Sequence, residues 1–124
     1  MLNKGFCVNN GEIKIDNGIL RVIVDYQRGG NISSLYFNNK NFELLFQPKH
    51  SNLDIPQKGD SFEKYAATGF DDTFPNIDAE KIIYSGREIT YNDHGDIWTS
   101  RMNMLIDNED IVLYSENDVY FFEK

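Results

Sequence analysis

Apolar and polar residues alternate with a period of two along several short segments of this chain, and that alternation is the strongest constraint on its fold. It is clear in Glu12–Asp16, Ile19–Tyr26 and Phe42–Gln47. A period of two is that of a β-strand, whereas a helix repeats every 3.6 residues. Asn17-Gly18 joins the first two segments, and Asn-Gly is the strongest short signal for a hairpin. The pattern predicts antiparallel strands joined by tight turns.

The rest of the chain follows the same pattern, with no convincing amphipathic helix and no internal repeat. Polar turns are predicted at Gly29-Gly30-Asn31, Asn38–Asn41, Ser85-Gly86 and Asp107–Asp110, and Pro48–Asp60 is predicted to be a long connection. Many short strands with frequent turns predict an all-β fold, an antiparallel β-sandwich. The further predicted strands are Ile32–Phe37, Ile82–Tyr84, Glu88–Tyr91, Ile97–Ile106, Ile111–Ser115 and Val119–Phe122.

Length and charge limit the number of domains and the classes of partner. A chain of 124 residues suits a single domain, which we assign to residues 1–124. Twenty acidic residues against twelve basic ones give a net charge of −8. Nucleic acids and anionic membranes attract basic surfaces. We therefore expect neither a nucleic acid nor a membrane as a partner.

The cysteine content and the N-terminal segment bear on the cellular compartment. The single cysteine, Cys7, has no partner for an internal disulfide. The first fourteen residues lack the apolar run of a signal peptide, and no stretch approaches the length that crosses a membrane. A cytoplasmic, reducing setting is the expectation.

Two segments bring together acid–base groups, an aromatic ring and turn residues. In Tyr91–Trp98, His94 lies between two aspartates and is followed by glycine, with Trp98 four residues on. In Gly69–Ile77, the adjacent carboxylates of Asp71 and Asp72 precede a Phe-Pro turn. Histidine titrates near neutral pH and carboxylates accept hydrogen bonds from hydroxyl groups. Taken alone, each feature also has an ordinary structural interpretation: a solvated histidine, a turn or helix-cap motif, a core tryptophan.

These two motifs, GFDDTFPNI and DHGDIW, resemble in order and spacing a pair of segments of the aldose 1-epimerase (galactose mutarotase-like) family. The earlier segments Gly30–Leu35 and Asn39–Leu45 resemble the family as well, through a glycine followed by Ser-Leu and a turn before Glu-x-Leu. The resemblance covers only the N-terminal part of the family's longer β-sandwich. It therefore implies that residues 1–124 are an incomplete part of a galactose mutarotase-like supersandwich domain.

The resemblance also implies roles for individual residues. His94 matches the family's first active-site histidine and is the predicted catalytic residue, while Asp71, Asp72 and Trp98 are the predicted substrate-binding residues. Opening a sugar ring needs a base at the anomeric hydroxyl and an acid at the ring oxygen. The family's glutamate base and second histidine belong to later segments that have no counterpart here, and His50 matches no motif. No cofactor and no metal are expected, because Asp93, His94 and Asp96 offer too few oxygen ligands for a hard cation.

Two functions follow as expectations. The first is an aldose 1-epimerase-like isomerase of carbohydrate metabolism, truncated or split, with weak or no activity alone. The second is a non-catalytic carbohydrate-binding β-sandwich module. The expected partners are a monosaccharide or sugar derivative and either further copies of the chain or a complementing C-terminal chain. The apolar strand Val119–Phe122 is predicted to mediate self-association if the sandwich is incomplete, although a strand inside the sheet would show the same pattern.

Overall fold

The computed structural model describes residues 5–49, 54–65, 68–108 and 110–124, and within them the chain is all-β. Ten strands are joined by turns and by three 3₁₀ turns of three residues each, Asn38–Lys40, Phe62–Lys64 and Ile97–Thr99. All strand pairs are antiparallel, so the predicted fold class is confirmed. The strands are β1 (Gly5–Asn9), β2 (Glu12–Asp16), β3 (Leu20–Asp25), β4 (Asn31–Phe37), β5 (Phe42–Glu43), β6 (Glu80–Tyr84), β7 (Arg87–Tyr91), β8 (Asn103–Asp107), β9 (Asp110–Glu116) and β10 (Phe121–Glu123).

The first sheet is a five-stranded meander in the order β1-β2-β3-β4-β5. The hairpin predicted at Asn17-Gly18 joins β2 to β3. Asn17 Oδ1 accepts hydrogen bonds from the amides of Ile19 at 3.0 Å and Leu20 at 2.8 Å. Gly18 has φ +84°, a backbone conformation that glycine adopts without a Cβ clash. The local sequence therefore determines this turn without help from tertiary packing.

The second sheet has three strands in the order β10-β9-β8 and packs on the first. Ile13 of β2, Leu113 of β9 and Met102, which precedes β8, form the core between the sheets and are almost fully buried. Burying an apolar side chain of this size contributes roughly 1.5–3 kcal/mol to stability. The partly buried side chains around this core are Ile15, Val24, Tyr26, Ile111 and Phe122.

A separate two-stranded sheet consists of β6 and β7, with the predicted Ser85-Gly86 turn between them. Ile83 and Tyr84 of β6 are 79% and 68% exposed, so this hairpin projects from the sandwich. β7 leads directly into the segment that holds His94.

Three predicted strands differ from those in the structure. The strand predicted over Ile97–Ile106 is wrong in its first half, where Ile97–Thr99 is a 3₁₀ turn and β8 begins only at Asn103. The hydroxyl groups of Thr99 and Ser100 donate to the Asp96 carbonyl oxygen at 3.0 and 2.8 Å, which favours a turn over an extended strand.

The other two corrections have similar causes. β5 ends at Glu43 rather than Gln47. The Glu43 carboxylate accepts hydrogen bonds from the backbone amides of Leu35 and Leu45 at 2.9 and 3.0 Å, and these bonds replace the strand pairing that was predicted beyond Glu43. The last strand is Phe121–Glu123 rather than Val119–Phe122. Asn117 Oδ1 accepts hydrogen bonds from the amides of Val119 and Tyr120 at 2.8 and 3.1 Å and so holds them in a turn.

β1 and the helical segments remain to be compared with the sequence-based expectations of strands and membrane spans. β1 was not predicted, since Gly5–Asn9 has only a short alternation of Phe6 and Val8. Of the helical segments in the described part of the chain, none is long and apolar enough to cross a membrane.

Candidate functional site

The segment Asn92–Asp96 forms a tight turn whose backbone is fixed against the segment that follows Asp72. His94 has φ +57° and Gly95 has φ +76°, so two consecutive residues are left-handed. The His94 amide donates to the Ile77 carbonyl oxygen at 2.6 Å, and the Asp96 amide donates to that of Phe74 at 3.0 Å. The two predicted motifs therefore touch through their backbones.

Gly95 is required at this turn by steric contact as well as by its φ angle. A Cβ atom built on Gly95 would lie 2.0 Å from the Phe74 carbonyl oxygen and 2.9 Å from the Pro75 nitrogen. Both neighbours are backbone atoms, which cannot rotate away as a flexible side chain can. The glycine after His94 thus permits the close approach of the two motifs.

The His94 side chain is held by Asp93 and by the Phe62 ring, which lies just after the predicted connection Pro48–Asp60. His94 Nδ1 is 2.7 Å from Asp93 Oδ1, and the Phe62 ring stacks on the imidazole with centroids 4.2 Å apart and planes 9° from parallel. The histidine side chain is 29% exposed. The imidazole therefore has a fixed orientation and an accessible part.

The contacts of Asp93 favour the ionised form of its carboxyl group. The hydrogen bond with His94 lowers the pKa of Asp93, and the Phe62 amide, which donates to Asp93 Oδ2 at 2.8 Å, lowers it further. An ionised carboxylate only accepts hydrogen bonds, so Nδ1 of His94 must carry a proton. In neutral imidazole this leaves Nε2 as the acceptor, the form that takes a proton from a hydroxyl group.

Trp98 supports this turn from inside and does not line a surface. Its side chain is buried, at 2% exposure, and its indole N–H donates to the Asp93 carbonyl oxygen at 3.0 Å. Phe62 and Tyr65 pack edge-on against the ring at 5.0 and 5.5 Å. In this conformation the predicted substrate-binding tryptophan offers no open face to a sugar.

Asp71 and Asp72 lie in a different polar cluster, around the start of β4. Asp71 Oδ1 accepts a hydrogen bond from Asn31 Nδ2 at 2.7 Å, and Asp72 forms an ion pair with Lys124. Lys124 Nζ also donates to the Gly30 carbonyl oxygen at 2.8 Å. Among the described residues, no hydrogen bond or ion pair connects His94 with either aspartate.

Burial is the main influence on the pKa of the Asp71 carboxyl group. It raises the pKa of the Asp71 carboxyl, the neighbouring Asp72 raises it further, and Asn31 and Arg28 partly oppose the rise. Arg28 and Asn31 are buried, and Arg28 Nε and Asn31 Oδ1 have no hydrogen-bond partner among the described residues. The cluster is thus a partly satisfied polar network beneath the Gly29-Gly30 turn.

A small pocket opens on the other flank of the His94 turn. It has a volume of about 150 Å³, room for about five water molecules. Polar side chains and the backbone of β7 line it, but His94 is not among its lining residues. The polar side chains are those of Lys58, Asn92, Asp96, Asn117, Asp118 and Tyr120.

Asp96 and Tyr120 are the pocket groups with unused hydrogen-bonding capacity. Asp96 Oδ1 accepts from Asn92 Nδ2 at 2.6 Å, and Oδ2 has, among the described residues, the longer contacts with Asn117 Nδ2 at 3.5 Å and Lys58 Nζ at 3.8 Å. The Tyr120 hydroxyl oxygen is buried and has no hydrogen-bond partner among the described residues. Burial, with Asp96 adding, raises the pKa of the Tyr120 phenol well above its usual range, so the hydroxyl keeps its proton.

The motifs alone did not identify several residues of these clusters. Phe62 and Tyr65 follow the predicted connection Pro48–Asp60, in a segment for which no strand was predicted, as does Ser61, whose hydroxyl donates to Asp93 Oδ2 at 3.4 Å. His50 lies outside the described residues. In the described ranges, no three side chains of His, Cys, Asp or Glu are grouped closely enough to hold a metal ion.

Neither a scan against protein-family models nor a search of curated proteins gave a match for this sequence. The resemblance to the aldose 1-epimerase family therefore rests on the motifs themselves and stays a prediction.

Proposed function

We propose that this chain is an aldose 1-epimerase-like carbohydrate protein that binds a neutral monosaccharide at the turn Asn92–Asp96, with weak or no mutarotase activity when it acts alone. The observation that carries the proposal is the His94 imidazole, oriented by Asp93 and Phe62 yet 29% exposed. The resemblance of the two motifs to the family supports the same assignment.

The arrangement suits one half of the chemistry of ring opening. Asp93 fixes the proton on Nδ1, so Nε2 accepts a hydrogen bond from a sugar hydroxyl when the ring is neutral and donates one when it is charged. Phe62, stacked on one face of the imidazole, keeps the ring from rotating as the ligand arrives. A neutral ligand also avoids repulsion from a chain of net charge −8.

Ring opening needs a second group that the described neighbours of His94 do not supply. General acid and general base catalysis each contribute roughly 10²–10⁴-fold. The ionisable side chain in contact with His94 is Asp93, which is engaged in orienting the imidazole. We therefore expect binding without substantial acceleration of anomer exchange.

An NMR titration tests the binding site. The C–H resonances of His94 are expected to shift with galactose or glucose, with half-saturation near 1 mM or weaker, which corresponds to about 4 kcal/mol. The indole N–H resonance of Trp98, which donates to the Asp93 carbonyl oxygen of the same turn, is expected to shift as well. His94→Gln should abolish this Trp98 shift, and His50→Gln, at the other histidine of the sequence, should preserve it. No shift of His94 at 100-fold higher sugar concentration would contradict the proposal.

Polarimetry on fresh α-glucose or α-galactose tests the catalytic part. The wild-type chain is expected to change the rate little from that in buffer. A large acceleration that His94→Gln removes would show that the chain contains a complete acid–base pair and would overturn the expectation of weak activity.

The pocket beside the turn favours a second candidate, a non-catalytic polyol-binding module. Asp96 Oδ2, whose hydrogen bond from Asn117 Nδ2 is long at 3.5 Å, and the Tyr120 hydroxyl, which has no hydrogen-bond partner among the described residues, are groups that a pair of sugar hydroxyls would satisfy. Its volume is small for a ligand site, which limits the ligand to one ring or a short polyol. If Tyr120→Phe weakens sugar binding while His94→Gln does not, the pocket is the binding site and the first candidate fails.

A further inference from the structure

The chain exposes far more surface than a folded monomer of its size. Monomeric proteins of 14.4 kDa expose about 6,800 Å² by the scaling of surface with mass. This chain exposes 8695 Å², an excess of about 1,900 Å² over that scaling. A standard protein–protein interface buries about 800 Å² on each partner. The excess is therefore large enough for an extensive interface.

Part of the exposed surface is apolar and lies on the inner face of β8. Met104 lies opposite Leu113 and Ile106 lies opposite Ile111 in the register of β8 with β9. Directly opposed residues of antiparallel strands project from the same face of a sheet. Met104 and Ile106 thus share the inner face with the core residue Leu113, yet they are 36% and 46% exposed.

β8 is also an edge strand without the usual protection of an edge. The described strands include none on its free side, since the sheet order is β10-β9-β8. Natural edge strands carry lysine, proline or a bulge that prevents pairing with another chain. β8 reads Asn-Met-Leu-Ile-Asp, with Asp107 as its one charged residue, in a chain that is 26% charged.

The strand is self-complementary when a second copy is placed antiparallel about a two-fold axis at Leu105. In this register Leu105 faces Leu105 of the second copy, Met104 faces Ile106, and Asn103 faces Asp107. Apolar residues then pair with apolar residues on both faces, and the asparagine amide is placed to donate to the aspartate. A two-fold axis perpendicular to the sheet makes the interface isologous, and it keeps the inner faces of both copies on the same side of one continuous sheet.

We propose that β8 is an interface between two copies of this chain, which join their three-stranded sheets into one six-stranded sheet through antiparallel pairing of Asn103–Asp107. The net charge of −8 opposes association, but only one charge of each copy lies on the pairing strand, and salt screens the remainder. The interface uses none of the residues assigned to sugar binding.

This location differs from the one that the sequence favoured, Val119–Phe122. β10 is a short strand of three residues, Phe121–Glu123, and carries Glu123. Lys124, which follows it, is held by Asp72 and by the Gly30 carbonyl oxygen. The five residues of β8 offer a longer and less charged edge.

Sedimentation equilibrium of the full chain tests the proposal directly. The wild type is expected to approach twice the 14.4 kDa mass of the chain as its concentration rises. Leu105→Lys places two like charges opposite each other at the axis and is expected to weaken association at least about tenfold. Ile83→Lys changes an apolar residue that is 79% exposed on β6 and should leave association unchanged. A monomer at all concentrations, or a Leu105→Lys variant that still associates, would overturn the proposal.

Cross-linking provides a second readout that does not depend on a destabilising charge. Cα atoms of opposed residues in antiparallel strands are about 4.5–5.5 Å apart, within the disulfide range of about 4.4–6.8 Å. Cys7 is exposed on β1 and is first replaced by serine. Leu105→Cys in that background should form disulfide-linked dimers under mild oxidation, and Ile83→Cys should not. Equal cross-linking of both variants would place the contact elsewhere, and a monomeric wild type would leave the β8 edge to a different polypeptide.

Discussion

Replacing Gly95 with alanine should destabilise the chain more than the same change at any open turn, because it acts on the backbone contact that positions His94. Gly95 and Gly86 have nearly identical φ angles, +76° and +75°. A Cβ on Gly86 would meet nothing within 4 Å, whereas one on Gly95 would lie 2.0 Å from the Phe74 carbonyl oxygen. Comparing Gly86→Ala with Gly95→Ala therefore separates the cost of a left-handed backbone conformation from the cost of the steric overlap with Phe74.

The expected magnitudes follow from these contacts. A non-glycine residue in the left-handed region costs about 1–2 kcal/mol, which is the whole effect expected for Gly86→Ala. In Gly95→Ala the Phe74 carbonyl group must also move, so the hydrogen bond that it accepts from the Asp96 amide is lost. This loss lowers the stability by roughly a further 0.5–1.5 kcal/mol. The total for Gly95→Ala is then about 1.5–3.5 kcal/mol.

Urea unfolding followed by circular dichroism measures both variants. At an m-value of roughly 1–3 kcal/mol per M, an added loss of about 1 kcal/mol lowers the midpoint by roughly 0.3–1 M relative to Gly86→Ala. If Gly95→Ala is no less stable than Gly86→Ala, the result contradicts the close backbone contact between Gly95 and Phe74. The sugar response of His94 should be lost in Gly95→Ala and retained in Gly86→Ala.

Further predictions concern the core, the buried carboxyl and the tryptophan. Ile13→Ala should cost about 2–5 kcal/mol by leaving a cavity between the sheets, and Val8→Ala, at its exposed neighbour on β1, should cost less than half as much in the same urea titration. Because the pKa of Asp71 is raised above 3.8, the native state keeps that proton to a higher pH than the unfolded chain, and the wild type loses stability as pH rises through this window. The stability of Asp71→Asn relative to wild type should therefore increase from pH 4 to pH 7; a constant difference would contradict the burial of Asp71. Trp98→Phe removes the hydrogen bond to the Asp93 carbonyl oxygen, should cost about 0.5–1.5 kcal/mol and should broaden the His94 resonances in NMR spectra.

The fold class follows from the sequence because local features determine most of the strands and turns. Asn17-Gly18 and Ser85-Gly86 mark hairpins that the structure contains. The errors arise where side chains bind backbone groups, as Glu43 and Asn117 do. Periodicity records which face a side chain occupies, and it contains no information on such local hydrogen bonds.

The site was predictable only in part. The motifs indicated that the segments around Asp72 and His94 lie together, and Phe74 and Gly95 do touch. The side chains nevertheless divide between two clusters, because Asn31 holds Asp71 and Asp93 holds His94. The Phe62 ring comes from a segment for which no strand was predicted, and its contact with His94 depends on tertiary structure that spacing cannot reveal.

The exposed edge of β8 shows a related limit, and it also separates the two proposals physically. Alternation places Met104 and Ile106 on one face of their strand, and the register with β9 shows that this face is the one that carries Leu113. Alternation cannot show whether another layer covers that face. The His94 ring depends on Asp93 and Phe62 for its orientation, and the β8 edge shares neither residue. A Leu105→Lys chain should consequently be a monomer that still shows the sugar-induced shift of His94. If the shift disappears with the dimer, association orders the site, and the second copy becomes part of the binding function.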